Sequence, residues 1–409
     1  MRYPLAQRGL IALVLVLAMA VWFSASAVVP ALASQWHLSA GAAAWMTAPV
    51  QAGFVLGAVG SAALGLADRI RPHLLVAGSA AGAAACTLVM GLFADGPVAA
   101  VSLRFATGAF LAGVYPVCMK LMASWSPPAS RALAMGALIG CLALGSALPH
   151  LIDGLGRLNW RAVLAAAAAA AFCAAIVAGA LVRPGPQFPA RGGTGRRRYA
   201  LAMFAARGPR LVNLAYFGHM WELYALWTWL PTFLVVSRTT TTGLPPPGGS
   251  GIDAFLAIGV AGLAGCLLGG WAADRVGRAA TAAAALAISG ACCLLSPLFF
   301  TASRPWLLAF TAVWGAAVIA DSGVFSTLLS ELADRRYLGT ALTTQTAIGF
   351  LLTIVTIQAV PLIAAVTGWH YAFVALAAGP MTTLPALTAL NRQIRPNELL
   401  SPITERTPP

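Results

Sequence analysis

Apolar stretches of about 20 residues recur along the whole chain, and its positive charges collect in alternate gaps between them. About 20 apolar residues is the length of helix that crosses the hydrocarbon core of a bilayer. The sequence predicts twelve such spans: 9–33, 43–66, 74–94, 97–123, 131–153, 162–182, 211–236, 252–273, 279–300, 306–329, 338–361 and 370–391. Lipid offers no hydrogen bonds, so each crossing must satisfy its own backbone, and helices do so. The spans are continuously apolar instead of alternating, which argues against a membrane β-barrel. A water-soluble fold is excluded by composition, with 60% hydrophobic and 9% charged residues where soluble domains carry about 25% charge.

The net charge of +14 suits nucleic acid in principle, but its distribution points to topology. Of the 25 Lys and Arg residues, all but five fall in gaps of one parity or at the span ends that border them, among them Arg2, Arg8, Arg69, Arg71 and the run Arg196-Arg197-Arg198. The opposite gaps hold Arg157, Arg161, Arg238 and Arg304, and Arg104 lies within a span. This asymmetry follows the positive-inside rule and places both termini in the cytoplasm. An additional or missing span would destroy the alternation. The basic excess therefore reflects orientation in a lipid bilayer, with weak attraction to anionic lipid and no nucleic-acid partner. Lys120 is the single lysine, and the arginine- and alanine-rich bias suggests a bacterium with a GC-rich genome; the expected location is its inner (plasma) membrane. The N-terminal run resembles a signal peptide but is too long for one, and reads as an uncleaved first helix. Cys86, Cys118, Cys141, Cys173, Cys266, Cys292 and Cys293 all fall inside spans without metal-ligand spacing, and read as small apolar packing residues.

Residues 183–210 form the longest gap on the cytoplasmic side, rich in proline, glycine and arginine, and read as a flexible basic linker. It divides the chain into six spans over 1–182 and six over 211–391, with a cytoplasmic tail at 392–409. The halves echo one another. Gly270-Trp271-Ala272-Ala273-Asp274-Arg275-Val276-Gly277-Arg278 follows the eighth span, and Gly65-Leu66-Ala67-Asp68-Arg69-Ile70-Arg71-Pro72 follows the second. Pro30 and Pro231 stand near the outer ends of spans one and seven, and Pro97 and Pro305 open spans four and ten. Two parallel repeats of this kind build one large class of secondary transporter.

On these residues the chain resembles the major facilitator superfamily over its whole length. The loop from Gly270 through Asp274, Arg275 and Gly277 to Arg278 matches the family's G-x-x-x-D-R-x-G-R pattern. Arg104-Phe105-Ala106-Thr107-Gly108 is similar to its R-x-x-x-G element in the fourth span, and Gly136, Gly140, Gly145 and Pro149 to its glycine-rich fifth helix. The first-half loop departs from the pattern, with Leu64, Arg71 and Pro72 where glycine, glycine and arginine are usual. The resemblance implies an all-α membrane protein of twelve helices in two pseudo-symmetric six-helix bundles. It implies a conformational gate at Gly270, Asp274, Arg275, Gly277 and Arg278, with Asp68 and Arg69 as the first-half counterpart. Asp274 can accept hydrogen bonds from a neighbouring helix N-terminus, whose dipole favours an anion. Gly53/Gly57, Gly78/Gly82, Gly136/Gly140 and Gly265/Gly269 are small-residue pairs at four-residue spacing that permit close helix packing.

Arg104, Glu222 and Asp321 are the ionisable groups predicted to lie inside the membrane. A charge there costs at least about 2.5–3.5 kcal/mol, so such groups face partners or a water-filled path. His219 stands one turn before Glu222 on nearly the same face. A carboxyl with a neighbouring imidazole can exchange protons, and a static helix–helix contact is the other reading. Arg104 can grip an anionic solute in a forked contact or pair with a carboxylate elsewhere, and Asp321 can line the path or bridge helices. The family resemblance implies that spans one and seven line the cavity, which adds Tyr216 and Trp22 to the candidates.

There is no G-x-x-x-x-G-K-[ST] phosphate loop and no H-E-x-x-H, hence no expected ATP motor, metal, cofactor or enzymatic activity. The expectation is a secondary active transporter, a monomer, that moves a small solute by alternating access with the proton as coupling ion. The favoured solute is an organic anion or polar metabolite. Proton-driven expulsion of amphipathic drugs is the alternative, and a lipid flippase or a non-transporting receptor the remote ones.

Overall fold

The computed structural model describes residues 3–64, 66–127, 131–156, 158–186, 203–244, 250–334 and 338–400. Among them, eleven helices are long and apolar enough to cross a membrane: α1 (Tyr3–Trp36), α2 (Gly41–Leu64), α3 (Pro72–Phe93), α4 (Pro97–Ser124), α5 (Leu133–Leu155), α6 (Trp160–Ala180), α8 (Gly251–Val276), α9 (Arg278–Phe300), α10 (Arg304–Leu332), α11 (Thr340–Thr367) and α12 (Trp369–Arg392). The twelfth, α7 (Arg207–Thr242), has 36 residues. Asn213, His219 and Glu222 interrupt its apolar character, and all three are buried. Twenty of its 36 residues are buried, so much of this helix packs against protein. The expected all-α, twelve-helix membrane fold is thus observed, with span boundaries displaced by a few residues. Helix α7 begins four residues earlier than the sequence suggested, at Arg207, and the last helical segment continues to Leu400. Most of the basic linker and the end of the tail lie outside the described residues.

Four spans are broken where helical continuity fails. Helix α1 unwinds over residues 20–23, α2 over 45–47 and α4 over 112–114, and α10 turns at Asp321. In α4, Pro116 in the first turn of the following segment lacks the N–H that a continuous helix needs. Helix α8 contains a π-helical stretch, Phe255–Val260.

The two sets of six helices repeat one packing device. Gly53 and Gly57 of α2 lie so close to α4 that an added Cβ would strike the backbone at Phe105 and Ala109. Gly265 and Gly269 of α8 meet α10 at Ala316 and Ala320 in the same way. Gly108 of α4 and Gly315 of α10 complete the correspondence, each pressed against backbone of its neighbour, at Val50 and Ala257. The pair Gly78/Gly82 behaves differently: Gly78 has open space where a side chain would go.

Two seams join the first six helices to the last six. Helices α5 and α8 meet along their length, from Gly136 beside the Cys266 carbonyl to Gly154 beside Ile252. Helices α2 and α11 meet through Phe54 and Phe350, whose ring centroids are 4.7 Å apart.

Gly53→Leu is expected to destabilise the protein by about 1–3 kcal/mol or more, because the helices cannot part without strain. Gly60→Ala, with nothing within 4 Å of the new methyl group, is expected to be neutral or slightly stabilising. Thermal unfolding in detergent separates the two.

Candidate functional site

Arg104 is fully buried on α4, and its partners are backbone oxygens at two helix breaks. Nε donates to the Met46 carbonyl at 3.2 Å, where α2 unwinds. Nη1 donates to the Val21 carbonyl at 2.7 Å and to Ser24 Oγ at 3.2 Å, and Nη2 donates to the Trp22 carbonyl, all at the α1 break. Breaking a helix frees carbonyls that lipid cannot satisfy, and a planar guanidinium with five donors can collect several at once. The guanidinium thus holds α1, α2 and α4 together at mid-span. No carboxylate pairs with it among the described residues.

Helix α7 carries two polar arrangements on one face. His219 Nδ1 lies 2.9 Å from Asp321 Oδ1, both residues buried, but that oxygen receives no aligned hydrogen bond. The contact is a close approach of imidazole and carboxyl at the turn in α10. His219 Nε2 is 2.9 Å from Ser322 Oγ, so both ring nitrogens engage the same turn. Phe325 and Tyr216 flank the imidazole, with ring centroids 5.5 and 6.1 Å away. The absence of a side chain at Gly349 on α11 leaves room for the Tyr216 ring.

Glu222, one turn later, is 1% exposed. It meets α9 and α10 and is not paired with His219. Trp314 Nε1 donates to Oε1 at 2.7 Å, Cys293 Sγ donates to Oε1 at 3.3 Å, and Ser289 Oγ donates to Oε2 at 2.9 Å. All three donors are neutral, and among the described residues no Lys or Arg forms an ion pair with Glu222. The Ser289 hydroxyl also lies 3.3 Å from the Leu286 carbonyl. Rotating it toward that carbonyl would free its lone pairs to accept from a protonated Glu222. The site can therefore house the carboxyl with or without its proton.

Trp22 belongs to an aromatic cluster that closes the middle of the molecule. Its ring lies 5.1 Å from Phe54, 5.6 Å from Phe350 and 5.9 Å from Tyr224. Phe23 continues the cluster to Tyr224 and Trp227, at 6.0 and 5.8 Å. Trp22, Phe23 and Phe54 come from α1 and α2, and Tyr224, Trp227 and Phe350 from α7 and α11, so the rings span the divide between the two sets of helices. Gln51, on α2, is completely buried, and neither amide atom finds a partner among the described residues. The indole N–H groups of Trp22 and Trp227 are likewise unpartnered. Sequence reasoning missed Gln51, Ser289, Cys293 and Trp314 as site residues because it looked inside the spans for charge. A polar amide in mid-span was the available signal for Gln51.

The loop between α8 and α9 turns at the second glycine of its motif. Gly277 has φ +103°, a conformation that side chains other than glycine rarely adopt. Arg275 lies over the Trp271 ring at 4.5 Å, and Arg278 forms an ion pair with Glu331 at the end of α10. Gly270, Asp274 and Arg278 border a cleft with Met135 and Gly136 of α5 and Gly323 and Thr327 of α10, so the loop sits where the two sets of helices meet. In the corresponding first-half loop Arg69 is exposed, and the Asp68 side chain lies outside the described residues. Among the described residues no three His, Cys, Asp or Glu converge as a metal site.

Comparison with known proteins gives a family and a fold. The family model described as Major Facilitator Superfamily matches residues 11–357. A bacterial homologue of the human lysosomal transporter Spinster, in an inward-facing and unoccupied conformation, is similar with a TM-score of 0.66 and 16% identity, over 95% of each chain. A variant of the nucleoside transporter NupG gives a TM-score of 0.72 and 14% identity, over 94% of this chain and 99% of that one. At these identities the structural likeness concerns the fold. No curated protein matches the sequence.

Arg104→Met is expected to leave the carbonyls of two helix breaks without donors. At about 1–3 kcal/mol for each orphaned buried group, it should lower thermal stability in detergent sharply, with Arg104→Lys recovering part of the loss. Asp274→Asn, which removes only the charge, should shift labelling of cysteines introduced along the α5–α8 cleft. Unchanged labelling would count against a gating role for Asp274.

Proposed function

The chain belongs to the major facilitator superfamily, and from that premise we propose that it is a proton-coupled secondary transporter of a small polar solute. The lobes would be residues 1–182 and 211–391, joined by the 183–210 linker, rocking about the α2–α11 and α5–α8 seams. The proposed setting is a bacterial inner membrane with both termini in the cytoplasm. The family supports transport across a membrane; the coupling ion is read from the side chains.

The observation that carries the coupling is Glu222, a buried carboxyl with three neutral donors and no cation. Such a group can change its charge without breaking an ion pair. His219 and Asp321, side by side at the bend of α10, place a second imidazole–carboxyl contact near Glu222. Coupling requires that the proton favour one conformation over another, since a ligand indifferent to conformation shifts nothing. The donors to Glu222 come from α9 and α10, so its charge state bears on how α7 packs against them.

The arrangement favours a polar metabolite over the organic anion that Arg104 suggested. Arg104 is occupied by carbonyls, and it is the only fully buried Lys or Arg among the described residues. Expulsion of amphipathic drugs is the second reading, supported by the aromatic cluster.

In proteoliposomes with an imposed pH gradient, Glu222→Gln is expected to abolish proton-driven accumulation while preserving exchange of labelled for unlabelled solute. Accumulation driven by the pH gradient in that variant at the wild-type rate would remove Glu222 from the coupling path.

A further inference from the structure

The central aromatic cluster contains polar atoms that the protein leaves unmet. Gln51 lies on the same stripe of α2 as Thr47 and Phe54, spaced as successive helical turns. Thr47 Oγ1 is 2.5 Å from Ser26 Oγ of α1, and Phe54 packs on Trp22 of α1 and Phe350 of α11. Gln51 therefore sits between these contacts, at the level of the α1 break and among the rings. Both atoms of its amide are unpartnered, as are Nε1 of Trp22 and Nε1 of Trp227. Trp22 and Trp227 both lean on Tyr224, with centroids 5.9 and 5.7 Å from it. Buried donors and acceptors without partners are costly and few in native proteins. Gln51, Trp22 and Trp227 are three of nine such residues among those described, and they lie in or beside one aromatic cluster across the divide that the proposed rocking would open.

The charged groups nearby are engaged elsewhere. The Arg104 donors are taken up by the two helix breaks, Asp321 faces His219, and Glu222 accepts from three donors. What the cluster offers is aromatic faces, two indole N–H donors, the Tyr224 hydroxyl and one carboxamide that both donates and accepts.

We propose that the transported solute is uncharged and planar, stacked among Trp22, Phe54, Tyr224 and Phe350, with the Gln51 amide and the indole N–H groups of Trp22 and Trp227 bonding to polar atoms on its rim. The inference rests on the transporter reading above and assigns its substrate class; it does not depend on proton coupling. Among the described residues an anion meets no free buried Lys or Arg at this level. An uncharged ring bearing carbonyl and N–H groups supplies what each orphaned atom lacks, and a flat solute can part the rings without exposing them to water.

The test uses the purified full-length protein in detergent and pairs of probes that differ by one charge: uracil against orotate, and nicotinamide against nicotinate. Binding is read by the rise in unfolding temperature and by titration calorimetry. At least one uncharged probe should bind, at least roughly tenfold more tightly than its carboxylate partner, a gap of about 1.4 kcal/mol. Gln51→Leu should leave the probe-free protein as stable as wild type or more so, because it deletes an unsatisfied amide, yet weaken binding of the uncharged probe by roughly 5- to 100-fold. A merely structural Gln51 would give the reverse: lower stability and unchanged binding. Should Gln51→Leu fail to fold, Trp227→Phe keeps a ring, deletes the N–H and carries the same expectation of weaker binding. The proposal is overturned if a carboxylate binds as tightly as its uncharged partner, if neither uncharged probe binds, or if these variants bind as wild type does. Equilibrium binding needs no gradient, so a failure of proton coupling in vesicles is a separate result.

Discussion

A dry interior tolerates no idle backbone. Once α1 and α2 unwind in mid-span, their carbonyls need donors that neither lipid nor a regular helix supplies. Arg104 meets that need from α4, collecting oxygens from Val21, Trp22 and Met46 in one buried fork. The rest of the centre depends on this interaction. The α1 break turns Trp22 and Phe23 toward α7 and α11, and the α2 break brings Thr47 and Gln51 alongside α1. An arginine is suited to the task because its donors are planar, numerous and always charged; a lysine is a single point with three.

The two sets of six helices reach similar architectures with different chemistry at corresponding places. In both, the second and fourth helices lie almost in backbone contact, at Gly53 and Gly57 in one and Gly265 and Gly269 in the other. In both, the fourth helix breaks in its middle. The first set satisfies the breaks of α1 and α2, and not that of α4, with the Arg104 cation. At the turn of α10 the second set places an acid, Asp321, against an imidazole from α7. One set thus holds a guanidinium among carbonyls, while the other sets an acid beside an imidazole.

Much of this was legible in the sequence, because lipid imposes rules that act locally. Span length, gap charge and the glycine spacing of the 270–278 loop each follow from a few neighbouring residues. Arg104, Glu222, His219 and Asp321 were visible for the same reason: a charge inside a span is conspicuous. Their partners were not. His219 and Glu222 share a helical face, which suggested that they pair with each other, but α10 presents Asp321 to one and Trp314 to the other. Arg104 was read as awaiting an anion or a carboxylate because carbonyls freed by helix breaks leave no mark on composition. Helix α1 unwinds without proline or glycine at residues 20–23, so its break is a tertiary event. Gln51 escaped attention because an amide carries no charge, although its burial without partners makes it as informative as the acids.

Helix α7 is the element through which a proton and a solute could communicate on the proposed reading. Glu222 faces α9 and α10 within its own set of helices, while Tyr224 and Trp227 face Trp22 and Phe23 across the divide. Two residues along a helix is roughly half a turn, so Glu222 and Tyr224 point to opposite sides of one rigid rod. On that reading, a change in how Glu222 is held by Trp314, Ser289 and Cys293 would rotate or tilt that rod, and the rings on its far side would repack. The converse holds by the reciprocity of linkage: a solute that parts Tyr224 and Trp227 from Trp22 alters the surroundings of Glu222 and hence its proton affinity. Pro231, inside the same helix toward its far end, removes one backbone hydrogen bond and lets the far segment move less rigidly. The stretch from His219 to Trp227 remains regular helix, which is what a lever requires.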